Sequence, residues 1–278
     1  MLTNGLYIIS TPIGNLKDIS KRALEVLSEA EIIACEDTRM SRKLFSLLGL
    51  PLNKKFITYQ DHNEEEQAQN IIDMINSSGA VALISDAGSP LISDPGYKLV
   101  RKCREQGVFV TVIPGACAVI CALQLSGLPT NRFMFAGFIP NKDKARIDLF
   151  EELKNINTTL IFYETAMRIL KTLQTVKTVF AGREIAVARE ITKIYEEVLS
   201  GSVDKIIAYF EQNQPKGEFV LIVAPPQKIE FNEADVEGFL AQKLKEMSLK
   251  SAVKEVCDTF KLNKSLVYDL ALRIKNEQ

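Results

Sequence analysis

Short apolar runs alternate with amphipathic stretches along the first part of the chain. The runs cover residues 6–9, 32–35, 56–59, 81–84 and 108–113. Apolar runs this short are typical of strands buried on both faces, and apolar residues at helical spacing fall between them. The alternation therefore predicts an α/β domain over residues 1–114, with a largely parallel sheet covered by helices on both sides.

The pattern changes twice further along the chain. Strand candidates recur at residues 133–138, 159–163, 185–188, 194–199 and 219–223, and residues 190–193 predict a hairpin between the third and the fourth. We therefore expect a second α/β domain with a mixed sheet over residues 115–225. After Pro225 and Pro226 no strand pattern remains, which predicts a helical tail of two or three short helices over residues 226–278.

Polar or proline-containing loops follow the strands of the first domain at their carboxyl ends. Pro12, Asp37, His62, Asp86 and Pro114 stand in these loops. The carboxyl ends of parallel strands meet at one edge of a sheet, which is where open α/β sheets bind their ligands. The sequence therefore predicts a binding site at this edge.

The loop at residues 85–96, Ser-Asp-Ala-Gly-Ser-Pro-Leu-Ile-Ser-Asp-Pro-Gly, is the strongest candidate for part of that site. Gly88 lets the backbone approach a ligand because it has no Cβ. Asp86 places a carboxylate at the strand tip, where it suits ribose hydroxyls or a cationic group. The same residues also suit an ordinary strand-to-helix turn in which Asp and Ser act as caps.

Composition limits the classes of protein that remain. The 278 residues are 46% hydrophobic and 25% charged, which is typical of a soluble globular chain with room for two cores. Lys and Arg number 34 against 35 Asp and Glu, so a nucleic acid would have to meet a local basic patch. The five cysteines include no CxxC pair, which argues against disulfides. The chain has a single histidine, which argues against a metal site. Neither a signal peptide nor a membrane span is evident, so we expect a cytoplasmic protein without a membrane partner.

Several common catalytic and nucleotide-binding motifs are absent from the sequence. There is no GxGxxG turn, no Walker sequence ending in Gly-Lys-Ser/Thr and no GxSxG elbow. Dinucleotide binding, P-loop nucleotide binding and serine hydrolysis therefore lose support. His62 beside Asp61 is a candidate base, but a histidine just before a helix start is also an ordinary loop or cap residue.

A series of short motifs occurs in the order of one known family. They lie at residues 7–16, 36–39, 62–64, 86–96, 113–115, 126–130, 162–164, 188–190 and 217–220. Together they resemble the ribosomal RNA small-subunit methyltransferase I family of the tetrapyrrole methylase superfamily, over residues 5–225 and more loosely over the tail. The sequence departs from this family's usual pattern in three places. Ser89 replaces a threonine, and Ala-Cys-Ala at residues 116–118 replaces the usual Pro-Ser-Ala. Ala166 and Met167 stand where proline and histidine are usual.

The resemblance implies a two-domain α/β methylase with S-adenosylmethionine bound in the cleft between the domains. It also implies a homodimer that methylates the 2′-hydroxyl of a cytidine ribose, in the decoding region of the 16S ribosomal RNA of the small ribosomal subunit. The cofactor-binding residues that match by motif position are Pro12, Asp86, Ala87, Gly88 and Ser89, with Tyr163 and Glu190 facing them from the second domain. Backbone amides, a carboxylate for ribose and apolar walls are what such a cofactor needs.

The implied transfer is an in-line displacement in which the ribose oxygen attacks the methyl carbon. A ribose hydroxyl is a weak acid, so a nearby base would help, and Asp37 is the candidate. Arg39 would hold a phosphate or orient that carboxylate. The alternative for residues 36–39 is a helix-start cluster whose acidic groups favour the positive end of the helix dipole.

RNA contacts are the least visible part of the sequence. Basic residues cluster at 39–43, at 142–146 and at 250–264, although such faces are usually only solvated. The tail is either an appendage that grips ribosomal RNA or a helical cap over apolar surface. Two other functions stay open: methylation of a small tetrapyrrole precursor, and partner binding without catalysis. Residues 11–15 and 36–39 favour the RNA branch, and the intact Asp86 loop argues against loss of catalysis.

Overall fold

The computed structural model describes residues 2–60, 64–226, 233–260, 262 and 264–276. The chain forms two compact units, Met1–Pro226 and Gln227–Gln278. The first unit holds two five-stranded sheets with helices, and the second is helical within the residues described. This is the predicted fold class, with two α/β parts followed by a helical appendage. The domain boundaries at residues 114 and 225 stay predictions.

The first sheet is built from the apolar runs of the first part of the chain. Its strands are β1 (Gly5–Ile9), β2 (Ile32–Cys35), β3 (Lys55–Thr58), β4 (Ala80–Ile84) and β5 (Val110–Ile113). They lie in the order β3-β2-β4-β1-β5, and every pair is parallel. The helices between them are α1 (Lys21–Glu29), α2 (Thr38–Leu47), α3 (Glu64–Ser78) and α4 (Tyr97–Glu105), with a short 3-10 helix at Leu16–Asp18.

The strands of this sheet contribute to two separate cores because successive side chains point to opposite faces. Leu6 and Leu83 pack with Ile72 of α3 on one face. Ile9 packs with Leu27 of α1 on the other. Burial on both faces is the reason why the inner strands β1, β2 and β4 are mostly apolar runs in the sequence.

The second sheet is mixed, as predicted. Its strands are β6 (Phe133–Phe138), β7 (Thr159–Thr165), β8 (Ile185–Arg189), β9 (Glu197–Gly201) and β10 (Glu218–Val223), in the order β6-β7-β10-β8-β9. β6 and β7 pair in parallel, and the other neighbours are antiparallel. The helices of this part are α5 (Ala118–Leu125), α6 (Asp143–Leu153), α7 (Ile169–Val179) and α8 (Val203–Gln212).

The hairpin of β8 and β9 is confirmed, but the prediction that its second strand begins at Ile194 is wrong. β9 begins at Glu197. Glu190 and Thr192 adopt positive φ angles of 49° and 66°, which takes the chain out of the extended conformation although Ile194 and Tyr195 are strand-like residues. Such angles cost roughly 1–3 kcal/mol each in non-glycine residues, so the surrounding contacts have to hold this loop in place.

The C-terminal unit consists, within the residues described, of α9 (Glu233–Glu246), α10 (Leu249–Phe260) and α11 (Lys264–Asn276). Leu240, Val256 and Ala271, one from each helix, are fully buried in a core of their own. Ser248 caps α10 by accepting a hydrogen bond from the Ser251 backbone N–H at 3.3 Å. In the part of the chain that the structure describes, no helix combines the length and the apolar character that crossing a bilayer requires.

Candidate functional site

Strand ends from both sheets of the first unit line one cavity of about 340 Å³. The loops after β1 and β4 contribute from the first sheet, and the ends of β7 and β8 with the start of β10 contribute from the second. The predicted cofactor-binding residues in its lining are Asp86, Ala87, Gly88, Ser89, Tyr163 and Glu190. Pro12 is outside the lining, and its neighbour Ile13 takes that place.

Hydrogen bonds hold three loops of the first sheet together at the cavity. Thr11 and Gly88 form an antiparallel bridge, and their backbone N–H groups donate to each other's carbonyl oxygens at 2.8 and 3.1 Å. The Ser89 hydroxyl donates to the Ala116 carbonyl at 3.0 Å and lies 2.9 Å from the Ser10 hydroxyl. Because a hydroxyl has one proton, Ser10 is the donor to Ser89. The hydroxyl of Ser89 therefore fixes the shape of the loop.

Asp86 receives its orientation from the neighbouring strand. β2 and β4 are adjacent and parallel, with Cys35 opposite Ile84, so their carboxyl ends lie side by side. The backbone N–H of Asp37 donates a hydrogen bond to the Asp86 carboxylate. Burial raises the pKa of Asp86 above its ordinary value, against the opposing effect of this hydrogen bond. The cavity wall thus holds an oriented and partly desolvated carboxylate.

Asp37 and Arg39 form a helix start and lie outside the cavity lining. The Asp37 carboxylate caps α2 by accepting the Arg39 backbone N–H at 2.8 Å, and the Arg39 guanidinium donates to both of its oxygens, at 3.2 and 2.7 Å. These hydrogen bonds lower the pKa of Asp37 to about 2. A carboxylate with so low a pKa is a weak proton acceptor at neutral pH. The geometry matches the helix-start alternative, and the catalytic role of the pair stays a prediction.

Glu190 faces the cavity from the end of β8. Lys193 Nζ lies 2.9 Å from Glu190 Oε1 and 2.8 Å from Glu218 Oε2, and the Glu218 backbone N–H donates to Glu190 Oε1 at 3.0 Å. Burial acts to raise the pKa of Glu190, but the Lys193 ammonium and the Glu218 N–H outweigh it, and the pKa is lowered. Gly217 has a φ of +89°, and a Cβ there would lie 2.4 Å from Glu190 Oε1, so a side chain at residue 217 would displace this carboxylate.

Tyr163 reaches from β7 to the start of α5. Its hydroxyl accepts a hydrogen bond from the Val119 backbone N–H, and its ring packs edge-on against Phe135 and Phe138, with ring centroids 4.8 and 5.2 Å away. Burial raises the pKa of Tyr163 above its usual range, so the hydroxyl keeps its proton. Tyr163 can therefore donate a hydrogen bond to a ligand in the cavity.

Sequence reasoning misses Glu164, which lines the cavity although its side chain is only 1% exposed. The Arg168 guanidinium lies 2.8 Å from its carboxylate, and the Thr172 hydroxyl and the Thr165 backbone N–H both donate to it at 2.7 Å. The Tyr163-Glu164 motif with an arginine four residues after the glutamate is the signal that could have indicated this pair.

A contact between the loops of the two sheets is a second feature that the sequence does not reveal. The Asn15 backbone N–H donates to Thr192 Oγ1 at 3.2 Å, and a Cβ at Gly14 would lie 2.5 Å from Lys193 Cγ. The loop after β1 and the β8–β9 loop therefore meet with no space for a side chain at residue 14. This contact borders the cavity, because Ile13 and Lys193 both line it.

The remaining candidates from the sequence concern a base and a metal. His62 lies outside the described residues, so its role as a base stays a prediction. Among the residues that are described, no three His, Cys, Asp or Glu side chains are grouped so that they could hold a metal ion. All five cysteines are free thiols, and Cys35 and Cys103 are buried.

Comparison with known protein families finds one matching model in each unit. The model for tetrapyrrole (corrin/porphyrin) methylases matches residues 5–207, and the model for the RsmI C-terminal HTH domain matches residues 230–275. Diphthine synthase, a solved structure, superposes with a TM-score of 0.61 at 15% identity, over 79% of this chain and 89% of that one. At this identity the likeness shows a shared fold alone.

Two relatives are similar over almost the whole chain. One is the ribosomal RNA small subunit methyltransferase I of Rickettsia prowazekii (strain Madrid E), which is 45% identical over 262 residues, 94% of this chain and 93% of that protein. The protein of the same name from Erythrobacter litoralis (strain HTCC2594) is 47% identical over 274 residues, 99% and 96% of the two chains. The chain thus belongs to the tetrapyrrole methylase family, among the proteins named ribosomal RNA small subunit methyltransferase I.

Proposed function

We propose that this protein is an S-adenosylmethionine-dependent methyltransferase that methylates the 2′-hydroxyl of a cytidine ribose in the decoding region of 16S ribosomal RNA. The observation that supports it most is the cavity in which residues 86–89 of one sheet face Tyr163 and Glu190 of the other. The name shared by the relatives supports ribosomal RNA of the small subunit as the substrate. The reaction would take place in the cytoplasm, where that substrate is found.

The cavity suits S-adenosylmethionine in size, polarity and charge. Its volume of about 340 Å³ is that of a small-molecule site. Ile13, Ile92 and Phe138 provide apolar walls for an adenine ring. Carboxylates outnumber the lysine in the lining, which suits a cationic sulfonium and ammonium: Asp86, Asp94, Glu164, Glu190 and Glu218 stand against Lys193.

When bound, S-adenosylmethionine supplies an electrophilic methyl group on a positively charged sulfur. Asp86 would accept hydrogen bonds from ribose hydroxyls, and Tyr163 would donate one from its hydroxyl. Glu190, whose pKa is lowered, stays ionised at neutral pH and adds negative charge beside the cation. Holding the attacking ribose oxygen in line with the methyl group contributes most of the acceleration, since positioning alone can supply several kcal/mol.

Mapping of ribose methylation in ribosomal RNA, from cells with and without this gene, tests the proposal. We expect a 2′-O-methylcytidine of the decoding region to disappear without the gene, and to return with the wild-type protein but not with Asp86→Ala. An unchanged map would contradict the proposed substrate. Methylation of a tetrapyrrole precursor by the purified protein would then favour the small-molecule alternative. Failure to bind S-adenosylmethionine would favour partner binding without catalysis.

We assign the C-terminal unit to RNA binding, because Lys250, Lys254 and Lys264 are exposed on it. Truncation before Asn232 should leave a folded protein with unchanged affinity for S-adenosylmethionine. Its binding to the small ribosomal subunit should be weaker and less dependent on salt, because fewer lysines neutralise phosphates. Binding measured at several salt concentrations checks this. Unchanged binding with an unchanged salt slope would contradict the RNA role, and lower thermal stability with newly exposed apolar surface would support the cap alternative.

We propose that the active form of the protein is a homodimer. α5 buries Val119 and Leu123 but leaves Ile120 and Leu125 exposed, so it has apolar surface beyond its buried face. A second copy that covered this surface would remove it from water. Light scattering at micromolar concentration should therefore return twice the chain mass of 31.1 kDa. A mass near that of one chain would overturn the homodimer.

A further inference from the structure

Exposed apolar side chains lie along one edge of the second sheet, beside the cavity. We call them the apolar rim: Phe138 (56% exposed), Met167 (95%), Ile194 (93%) and Tyr195 (71%). Phe138 ends β6, Met167 follows β7, and the other two stand in the β8–β9 loop. A single exposed apolar residue is ordinary on a protein surface, but a row at the border of a binding cavity is typical of an interaction site.

Strand pairing places these residues at the same edge. β6 and β7 run in parallel with Phe138 opposite Tyr163, so both strands end there. β10 begins at this edge, because its first residue, Glu218, pairs with Thr165 at the end of β7. β8 ends at the same edge, because its last residue, Arg189, pairs with Phe219 of β10. From β6 to β8 the edge spans three strand spacings, or about 14 Å. Phe138 also lines the cavity, so rim and cavity are continuous.

The β8–β9 loop is held in shape by its own contacts and by contacts to other elements. The Thr192 backbone N–H donates to Glu196 Oε2 at 2.6 Å, and Asn15 of the first sheet donates to Thr192 Oγ1. Ile191 is buried and Lys193 is ion-paired, so these two do not reach solvent freely. The fixed loop presents the next two residues, Ile194 and Tyr195, to water.

The charge beside the rim disfavours phosphate as the group bound there. The cavity lining holds five carboxylates and one lysine. Arg168 pairs with Glu164, and Lys193 bridges Glu190 and Glu218, so the two cations leave the edge with an excess of negative charge. Phosphates would be repelled at this edge, whereas a neutral nucleobase offers a flat π-face to an aromatic or aliphatic side chain. Unpaired bases of RNA are commonly bound by such stacking.

We propose that the apolar rim is a stacking platform for unpaired nucleobases that flank the target ribose, with Tyr195 as its aromatic contact. This inference rests on the proposed function, because it requires an RNA substrate. Stacking is tolerant of base identity, so the rim positions the strand, and selection of the nucleotide rests on other contacts. Met167 and Ile194 extend the apolar surface on either side of the cavity entrance.

A methyl-transfer assay tests the rim. It uses the full-length protein, S-adenosylmethionine labelled in the methyl group, and small ribosomal subunits from cells that lack this gene. Tyr195→Ala should raise the KM for subunits roughly 5- to 100-fold. Tyr195→Phe should keep the KM of the wild type, since the ring makes the contact. The affinity for S-adenosylmethionine and the salt slope of subunit binding should stay unchanged. Met167→Ser is a second variant, and Leu47→Ala, exposed at the far end of α2, is the matched control.

Three outcomes of these measurements would contradict the stacking platform. If the wild type methylates subunits and both rim variants keep its KM, the platform is wrong while the proposed function stands. If the wild type labels no RNA in subunits, the proposed function is wrong and the platform with it. If Tyr195→Ala lowers the mass in light scattering together with activity, the rim is an interface between two copies of this chain, and the stacking assignment is overturned.

Discussion

Replacing Gly88 with valine should weaken the binding of S-adenosylmethionine by roughly 30-fold or more, which corresponds to about 2 kcal/mol. Gly88 lines the cavity with a φ of +84°, and a Cβ there would lie 3.2 Å from Ile13 Cγ2. The branched side chain would take up space at the cavity wall that the ligand needs. It would also block the approach of a ligand to the backbone. Calorimetric titration of the purified variant measures the change.

Gly107→Val is the matched control for this experiment. Gly107 has a φ of +69°, and a Cβ there meets no atom within 4 Å. Both variants place a branched residue at a positive φ, so both should lose stability for the same reason. Only Gly88→Val alters the cavity, and we expect Gly107→Val to bind the cofactor as the wild type does. A folded Gly88→Val protein with unchanged affinity would remove residues 86–89 from the site.

Replacing Glu164 with alanine should lower the free energy of unfolding by about 3 kcal/mol. The change leaves the Arg168 charge without its carboxylate and the buried Thr172 hydroxyl without its acceptor. Loss of one partner from a buried ion pair costs roughly 3–5 kcal/mol, and the Arg168 side chain is 22% exposed, which favours the lower end. The midpoint of thermal unfolding, followed by circular dichroism, should fall by roughly 6–12 °C.

Two further variants separate the buried pair from ordinary surface charge. Glu164→Gln keeps the shape and one carbonyl acceptor, so its loss should be smaller than that of the alanine variant. Asp204→Ala removes a carboxylate that is 65% exposed and lies 2.6 Å from Lys177 Nζ, and exposed pairs contribute about 1 kcal/mol or less. A Glu164→Ala midpoint no lower than that of Asp204→Ala would show that the buried pair does not stabilise the fold.

The strands of the first sheet could be predicted from a few neighbouring residues each. Residues 81–84 are apolar at every position because the strand is buried on both faces. The alternation with helices then required parallel strands, and parallel strands end at one edge. Asp86 and Gly88 could therefore be placed in a binding loop before the structure was known, and both line the cavity.

Asp37 shows where sequence reasoning stopped. A carboxylate at a strand tip suits a general base and a helix cap equally well, and the residue types do not separate the two. The structure directs both oxygens of Asp37 to Arg39 and to the start of α2, outside the cavity lining. The backbone N–H of the same residue orients Asp86, a contact that depends on β2 lying beside β4.

The sequence by itself determined which segments become strands and helices and which loops lie at the carboxyl edge of the first sheet. Only the tertiary structure decided the order β3-β2-β4-β1-β5, the contact of Asn15 with Thr192, and the departure of Ile194 from its predicted strand. The physical reason is the separation along the chain of the residues that interact. Local pattern reports whether a side chain is buried, whereas the partner that it meets depends on packing and hydrogen bonds between residues far apart along the chain.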